Sequence, residues 1–380
     1  MVDLFGEPTP PPSSQMDNLT ADEDISSDDQ ALEELQELTP RTNADLIGHT
    51  NVEQELLERI DTNKMPHALI LHGPKGIGKA TLAYRLARYL FKQSEDQGGL
   101  FAVSSDDTSK SENLFIAPEE VTYKQVASGG HPDLFTIECA IDEKKGTKKS
   151  SLDVDQIRKI APFMRMTSNT LDGWRIVIVD DADTMTINAQ NSLLKILEEP
   201  PKKALLILVT HRIGAMLPTI RSRCQSIAMT PLKSPECKEV IKKLNLDQSL
   251  QDEELLLDYA EGSPGVFANI MEEGGSECIE SFLEILKSAP NFDPKMTHRF
   301  AENYGGYGKD KFFDLLHGYT KWVFRVLIKS KITGNKLPFF IADHNGLNQI
   351  HTKKSYTELL KTHDELDALM GKSKAKMLDK

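Results

Sequence analysis

A glycine-rich turn in the first quarter of the chain has the residues needed to bind a phosphate group. The turn reads GPKGIGK over residues 73–79 and stands between a short apolar run and a helical pattern. Glycines allow backbone N–H groups to face a phosphate, and the N-terminus of the following helix adds a favourable dipole. We therefore expect Gly73, Gly76 and Gly78 to surround a phosphate and Lys79 to reach its terminal oxygens.

The residue after the lysine argues against efficient hydrolysis of a bound nucleotide. A hydrolase with such a loop needs a Ser or Thr hydroxyl there to hold Mg²⁺, and this chain has Ala80. Thr81 follows, but one step along a helix turns a side chain by about 100°. We predict that Thr81 contacts nucleotide only as part of a site whose metal ligand is missing.

A run of aspartates ends the most apolar predicted strand. Residues 176–179 carry no polar side chain, as in a sheet covered on both faces, and Asp180, Asp181 and Asp183 follow. Asp180 would hold a metal at the carboxyl end of the sheet. A nucleotide hydrolase needs Glu next to align water, and Asp181 is one methylene shorter; a displacement of about 1 Å can cost orders of magnitude in rate. The alternative is a solvated turn that caps the next helix, which suits Asp183 better than Asp180.

Strand and helix patterns alternate over a long part of the chain. The apolar strand patterns lie at 68–71, 134–137, 176–179 and 205–209. This alternation predicts an α/β domain with a largely parallel sheet, and only helical patterns remain beyond about residue 231. We predict an acidic disordered tail, an α/β phosphate-loop domain, a small helical lid and a C-terminal helical bundle, at 1–40, 41–231, 232–274 and 275–380.

The composition limits the classes of partner. The net charge of −13 comes mostly from residues 1–40, which hold eleven acids and no Lys or Arg, so 47 acids oppose 45 bases in the rest. No apolar run approaches the roughly 18 residues of a membrane span, and the N-terminus lacks the features of a signal peptide. The four cysteines form no CxxC pair, so we expect reduced thiols, a cytoplasmic location and no bound metal.

Three later segments resemble the subunits of clamp loaders, which are AAA+ proteins with a P-loop domain. They are NAQNSLLKILEEPP at 188–201, the strand that ends in Thr210, and LPTIRSRCQ at 217–225. The resemblance implies that Thr210 is the polar sensor of the nucleotide site. It also implies that Arg223, within the Ser-Arg-Cys run, reaches into the ATP site of a neighbouring subunit. The alternative for Arg223 is an ordinary surface ion pair, which contributes little.

The departures from the ATPase subunits resemble the δ′ family of bacterial DNA polymerase III. Ala80, Asp181 and Val266 replace the metal ligand, the catalytic Glu and a lid arginine, whereas Arg223 remains. Many members carry a four-cysteine zinc module, but residues 92–130 contain no cysteine, so zinc is not expected. Motifs support the resemblance over about 41–270; beyond 275 it depends on length and helical character alone.

The resemblance implies a stator with little or no ATPase activity of its own and with weak or absent ATP binding. Its partners would be the motor and clamp-opening subunits of a heteropentameric ring, and through the ring a sliding clamp and primer–template DNA, with no membrane. One alternative is an active motor subunit, which needs a hydroxyl at position 80 and an arginine near 266. The other is an unrelated P-loop enzyme such as a nucleotide kinase, against which the segment 188–201 argues.

Overall fold

The fold is known from a computed structural model of the chain. It describes residues 39–98, 111–139, 141–142, 147–148, 151–170, 172–244, 246, 253–271, 274–288, 291–306, 309–342 and 344–378. The predicted acidic tail therefore lies almost wholly outside the described residues. Residues 39–380 form one compact unit, and its description follows.

A five-stranded parallel sheet forms the centre of the first half. Its strands are β1 (Ala68–His72), β2 (Leu134–Ile137), β5 (Arg175–Val179), β6 (Ala204–Thr210) and β7 (Gln225–Ala228), and two-residue strands β3 (Ile141–Asp142) and β4 (Thr147–Lys148) pair separately. The order across the sheet is β2-β5-β6-β1-β7, and every neighbouring pair is parallel. The predicted α/β fold with a parallel sheet is confirmed.

This strand order brings three sequence motifs to one edge. β6 lies between β1 and β5, with His72 of β1 in register with Thr210 of β6. Because all three strands are parallel, the residues after β1 and β5 and the last residue of β6 meet at the carboxyl edge of the sheet. This edge is where open α/β sheets bind ligands.

Helices cover both faces of the sheet. The helices of this half are α1 (Thr50–Asp61), α2 (Lys79–Gly98), α3 (Val121–Ala127), α4 (Val154–Arg158), α5 (Ile160–Met164), α6 (Ile187–Glu198) and α7 (Pro218–Arg221). Side chains alternate along a strand, so Leu69 and Leu71 join the core under α2 while Ala68 and Ile70 join the core under α6. Trp174, just before β5, packs against the first of these cores.

The second half is helical and has a core of its own. Its helices are α8 (Ser234–Lys243), α9 (Glu253–Ala260), α10 (Pro264–Met271), α11 (Gly275–Lys287), α12 (Pro294–Tyr304), α13 (Asp310–Thr333), α14 (Phe339–Ala342), α15 (Asn345–Lys353) and α16 (Tyr356–Leu378). Phe267 of α10, Ile279 of α11 and Trp322 of α13 belong to the same hydrophobic cluster. That cluster extends across the predicted boundary between lid and bundle at 274/275, and the boundary stays a prediction. None of the helices in the described part of the chain is long and apolar enough to cross a membrane.

Candidate functional site

The turn between β1 and α2 has the backbone of a phosphate-binding loop. Gly73, Gly76 and Gly78 have φ angles of +151°, +78° and +98°, a region that side chains rarely allow. A Cβ atom on Gly73 would lie 2.1 Å from the carbonyl oxygen of Met229, so glycine is required there by space as well. These glycines therefore form the turn that the sequence pattern predicted between β1 and α2.

Lys79 is folded back onto this loop. Its side chain is buried (the residue is 3% exposed), and its Nζ donates to the carbonyl oxygens of Gly73 at 2.8 Å and Pro74 at 2.5 Å. Burial lowers the pKa of Lys79 to about 8, although the nearby carboxylate of Asp180 acts in the opposite direction. The carbonyl oxygens of the loop therefore accept the hydrogen bonds that Lys79 would donate to the phosphate oxygens of a bound nucleotide.

The two residues after the lysine differ in exposure in the way that the helical turn predicts. Ala80 is partly exposed, whereas Thr81 is buried among the residues of α2. A helical step of about 100° separates the side chain of Thr81 from that of residue 80, where an active loop carries its metal-binding hydroxyl. The contact of Thr81 with nucleotide stays a prediction, and this geometry does not favour it.

The aspartates after β5 are held by the protein itself. Asp180 accepts a hydrogen bond from the N–H of Asp181 at 2.9 Å. Asp181 has a left-handed backbone (φ 51°, ψ 40°), and its Oδ1 lies 2.7 Å from Nε2 of His211. The carboxylate at the position of the catalytic Glu is therefore paired with a histidine from the end of β6.

Asp183 is buried, so its interpretation as part of a solvated turn was wrong. Its side chain is 4% exposed and accepts hydrogen bonds from the hydroxyl of Thr210 at 3.1 Å, the N–H of His211 at 3.0 Å and Nε of Arg212 at 3.1 Å. Burial raises the pKa of Asp183, but the bonds from His211 and Arg212 outweigh burial and hold it below its ordinary value. Thr210, the predicted sensor, is fully buried, and its hydroxyl donates to this carboxylate.

The first turn of α10 lies directly on the phosphate loop. The N–H of Gly265 donates to the carbonyl oxygen of Gly76 at 2.9 Å. A Cβ atom on Gly76 would lie 2.8 Å from the backbone N of Val266. Gly265 and Val266 therefore both lie within contact distance of Gly76. Val266, the residue predicted to replace a lid arginine, is therefore next to the phosphate loop, but it brings no positive charge there.

Arg223 lies outside this arrangement. It follows α7 and is exposed, with its Nη2 2.9 Å from Oε1 of Glu198 and its Nη1 donating to the carbonyl oxygen of Thr219 at 3.0 Å. Both partners lie outside the phosphate loop of the same chain. The structure therefore brings Lys79, Asp180 and Thr210 together at the sheet edge and places Arg223 at the surface.

Comparisons with known proteins agree with the motifs. A family model described as DNA polymerase III, delta subunit, matches residues 48–233. DNA polymerase III subunit delta′ of Pseudomonas aeruginosa is 29% identical over 263 residues, covering 68% of this chain and 72% of that protein. The delta′ subunit of Bacillus subtilis is 30% identical over 200 residues, covering 53% and 50%.

The chain is thus similar to DNA polymerase III subunits over residues 48–233. A probable replication factor C subunit 5 of Dictyostelium discoideum is also similar, at 24% identity over 256 residues, covering 66% of this chain and 62% of that protein. The match spans between 50% and 72% of the length of these three relatives. The stretch that matches the δ′ family model, 48–233, contains every predicted site residue from Gly73 to Arg223.

Sequence reasoning did not predict the contacts of three residues around the phosphate loop and the aspartates after β5. They are His211, which pairs with Asp181, Gly265, which binds the phosphate loop, and His49, whose Nε2 lies 2.8 Å from the carbonyl oxygen of Ile77. His211 had a usable signal because it directly follows Thr210 at the end of a parallel strand. Gly265 directly precedes Val266, the position predicted to replace a lid arginine, although its bond to the loop was not predicted. His49 had no signal, since it meets the loop from a separate part of the chain.

Among the residues that the structure describes, no group of three or more His, Cys, Asp or Glu side chains could hold a metal ion. Cys139, Cys237 and Cys278 are buried and Cys224 is partly buried, all as free thiols. The aspartates after β5 thus contribute ion pairs and hydrogen bonds within the chain.

Proposed function

We propose that this chain is the stator of a clamp loader and lends Arg223 to the ATP site of a neighbouring subunit. One observation carries the proposal. The arginine of the Ser-Arg-Cys run is exposed and held at the surface, while the chain's own sheet-edge site is closed by its own side chains. Arg223 can therefore reach a neighbouring subunit, whereas Lys79, Asp181 and Thr210 are bonded within the chain.

The chain's own site is poorly suited to hydrolysis in three respects. Ala80 offers no hydroxyl to Mg²⁺. Asp181 is shorter than Glu and is paired with His211 at 2.7 Å. The hydroxyl of Thr210 binds Asp183 at 3.1 Å and not a nucleotide phosphate. We propose that ATP binding is weak or absent, that the chain has little ATPase activity alone, and that no zinc is needed.

An arginine is the suitable group for action across an interface. Negative charge spreads over the phosphoryl oxygens during transfer, and a guanidinium supplied by a neighbour is worth about 10³ to 10⁵ in rate in well-studied systems. A lysine at position 223 would offer a point charge without the planar fork. Thus Arg223→Lys should restore little of the activity that Arg223→Ala removes.

The proposed partners follow from the family. They are the motor subunits and the clamp-opening subunit of a heteropentameric ring that loads a sliding clamp on primer–template DNA. The chain would contact clamp and DNA through the ring and would act in the cytoplasm, where the chromosome is copied. Sequence similarity to δ′ subunits of two bacteria supports this assignment.

The test is ATP turnover, first of the isolated chain and then of a complex reconstituted with its motor subunits, with and without clamp and DNA. The isolated chain should be silent. In the complex, Arg223→Ala should lower the rapid phosphate burst by about one ATP per ring, because the finger serves a single site. Arg221→Ala is the matched control, since Arg221 is an exposed arginine of the same segment.

Either of two results would overturn the proposal. An Arg223→Ala complex with the same burst as the Arg221→Ala complex would mean that the arginine makes only a surface ion pair. Robust turnover by the isolated chain would mean that Thr81 or Asp181 completes the site, as in a motor subunit.

A further inference from the structure

Arg223 is held at two points. Its Nη2 donates to Oε1 of Glu198 at 2.9 Å, and its Nη1 donates to the carbonyl oxygen of Thr219 at 3.0 Å. The side chains of Arg223 and Glu198 are 37% and 52% exposed, so the pair lies at the surface and is not enclosed. An exposed arginine with a single partner would pivot about that one contact, whereas two partners define the plane of the guanidinium.

The two holding points are fixed relative to each other. Glu198 is the last residue of α6, next to the buried Leu197, and Thr219 is in α7, next to the buried Ile220. Gln190 of α6 binds the segment that leads into α7: its Nε2 donates to the carbonyl oxygen of Ala215 at 3.1 Å, and its Oε1 accepts from the N–H of Leu217 at 2.8 Å. The parts of α6 and α7 that bind the guanidinium are therefore held in place by the contacts of the buried Gln190.

The side chain of Arg223 bonds only to Glu198 and Thr219 among the described residues. A guanidinium has five N–H groups in a fixed fork, and the bonds to Glu198 and Thr219 use two of them. A phosphate oxygen of a neighbouring nucleotide can accept from the others while the two holding bonds persist. Catalytic gains depend on groups that are already in place before the reaction, because a misplacement of about 1 Å can cost about 10²-fold.

We propose that Glu198 is a positioning residue that orients Arg223 for the ATP site of the neighbouring subunit. The inference rests on the proposed function of Arg223 and adds a residue that touches no nucleotide. Glu198 is the last residue of α6, so the orientation of Arg223 is coupled to the helix that begins shortly after the aspartates that follow β5.

The experiment compares Glu198→Gln, Glu198→Ala and Glu199→Gln in the reconstituted complex, with clamp and DNA present. Glu199 is the matched control because it is an exposed glutamate one residue away and is not among the described contacts of Arg223. Glu198→Ala should lower kcat about two- to fivefold, the range expected for an exposed ion pair. Glu198→Gln should have a smaller effect, Glu199→Gln none, and the KM for ATP should stay unchanged throughout.

A double variant separates positioning from a general loss of structure. In an Arg223→Ala background, Glu198→Ala should cause no further loss, because the group that it orients is gone. A merely structural role would instead lower kcat again in that background and would lower the thermal midpoint of the isolated chain.

The outcomes distinguish this inference from the function on which it rests. If Arg223→Ala has no effect, the proposed function fails and the inference fails with it. If Arg223→Ala reduces turnover but Glu198→Ala behaves like Glu199→Gln, only the inference is overturned. A rise in kcat for Glu198→Ala would also overturn it, since Glu198 would then restrain the finger and not position it.

Discussion

The contact between the phosphate loop and α10 can be tested by one methyl group. In Gly265→Ala the new Cβ would lie 2.8 Å from Cα and 3.1 Å from the carbonyl oxygen of Gly76. Backbone atoms cannot move aside as a flexible side chain can, so the two segments must separate. Separation also breaks the hydrogen bond from the Gly265 N–H to the Gly76 carbonyl oxygen, which is 2.9 Å long.

The size of the effect can be estimated from three contributions. The lost hydrogen bond costs about 1 kcal/mol, and crowding in a packed contact costs about 1 to 3 kcal/mol. Alanine gains back up to about 1 kcal/mol through its helix propensity, since position 265 is in α10. The net expectation is a fall of about 1 to 4 kcal/mol in the free energy of unfolding.

The assay is urea denaturation followed by circular dichroism, together with hydrogen exchange of residues 73–79. Gly265→Ala should shift the denaturation midpoint downward and speed up exchange in the loop. Gly214→Ala is the control, because a Cβ atom on Gly214 meets nothing within 4 Å. It adds the same methyl group in open space.

Two results would refute this reasoning. If Gly265→Ala is as stable as Gly214→Ala, then the contact with Gly76 contributes nothing. If stability falls but exchange over 73–79 does not change, then the loop is held by other contacts, such as that of His49 with the Ile77 carbonyl oxygen.

Three further changes have definite expected outcomes. Asp133→Asn should cost about 3 to 5 kcal/mol in urea denaturation, because Asp133 and Arg175 form a buried ion pair at 3.2 Å with side chains 3% and 9% exposed. Because the folded-state pKa of Asp183 lies below its ordinary 3.8, its stabilisation is present above pH 3.8 and is lost as pH falls below it; Asp183→Asn should flatten stability curves there. Ala80→Ser should leave the isolated chain without measurable phosphate release, because Asp181 stays paired with a histidine.

Each of these outcomes has a control. Asp172→Asn changes an exposed aspartate that precedes Arg175 in the sequence and should cost little, so equal effects would contradict the role of the buried pair. Asp155→Asn changes an exposed aspartate and should leave the acid limb of the stability curve unchanged, in contrast to Asp183→Asn. Turnover by Ala80→Ser alone would show that the hydroxyl was the single missing element.

Much of the sheet could be predicted from the sequence because its strands are short apolar runs. The predicted strand 176–179 is one residue shorter than the observed Arg175–Val179, and the predicted strand 205–209 lacks one residue at each end of Ala204–Thr210. β7 (Gln225–Ala228) had no such signal, since only Ile227 is buried in it.

The candidate site divides in the same way. Residues that follow strands, such as Asp180 and Thr210, could be located because parallel strands bring their ends to one edge. The pairing of Asp181 with His211 joins residues 30 positions apart, and the Gly265–Gly76 bond joins the two halves of the chain. The Asp181–His211 pair joins the ends of two neighbouring strands. The Gly265–Gly76 bond depends on how the helical half packs on the loop, which no local pattern specifies.

The two tryptophans divide between the hydrophobic cores in a way that has an optical consequence. Trp174 packs against the core on the α2 face of the sheet, and Trp322 is buried in the helical core beside Tyr319 and Tyr259. The chain contains no other tryptophan. Replacing one indole at a time therefore leaves a single intrinsic fluorophore in each half. The emission of each reports whether the α/β part and the helical part melt together or in separate steps.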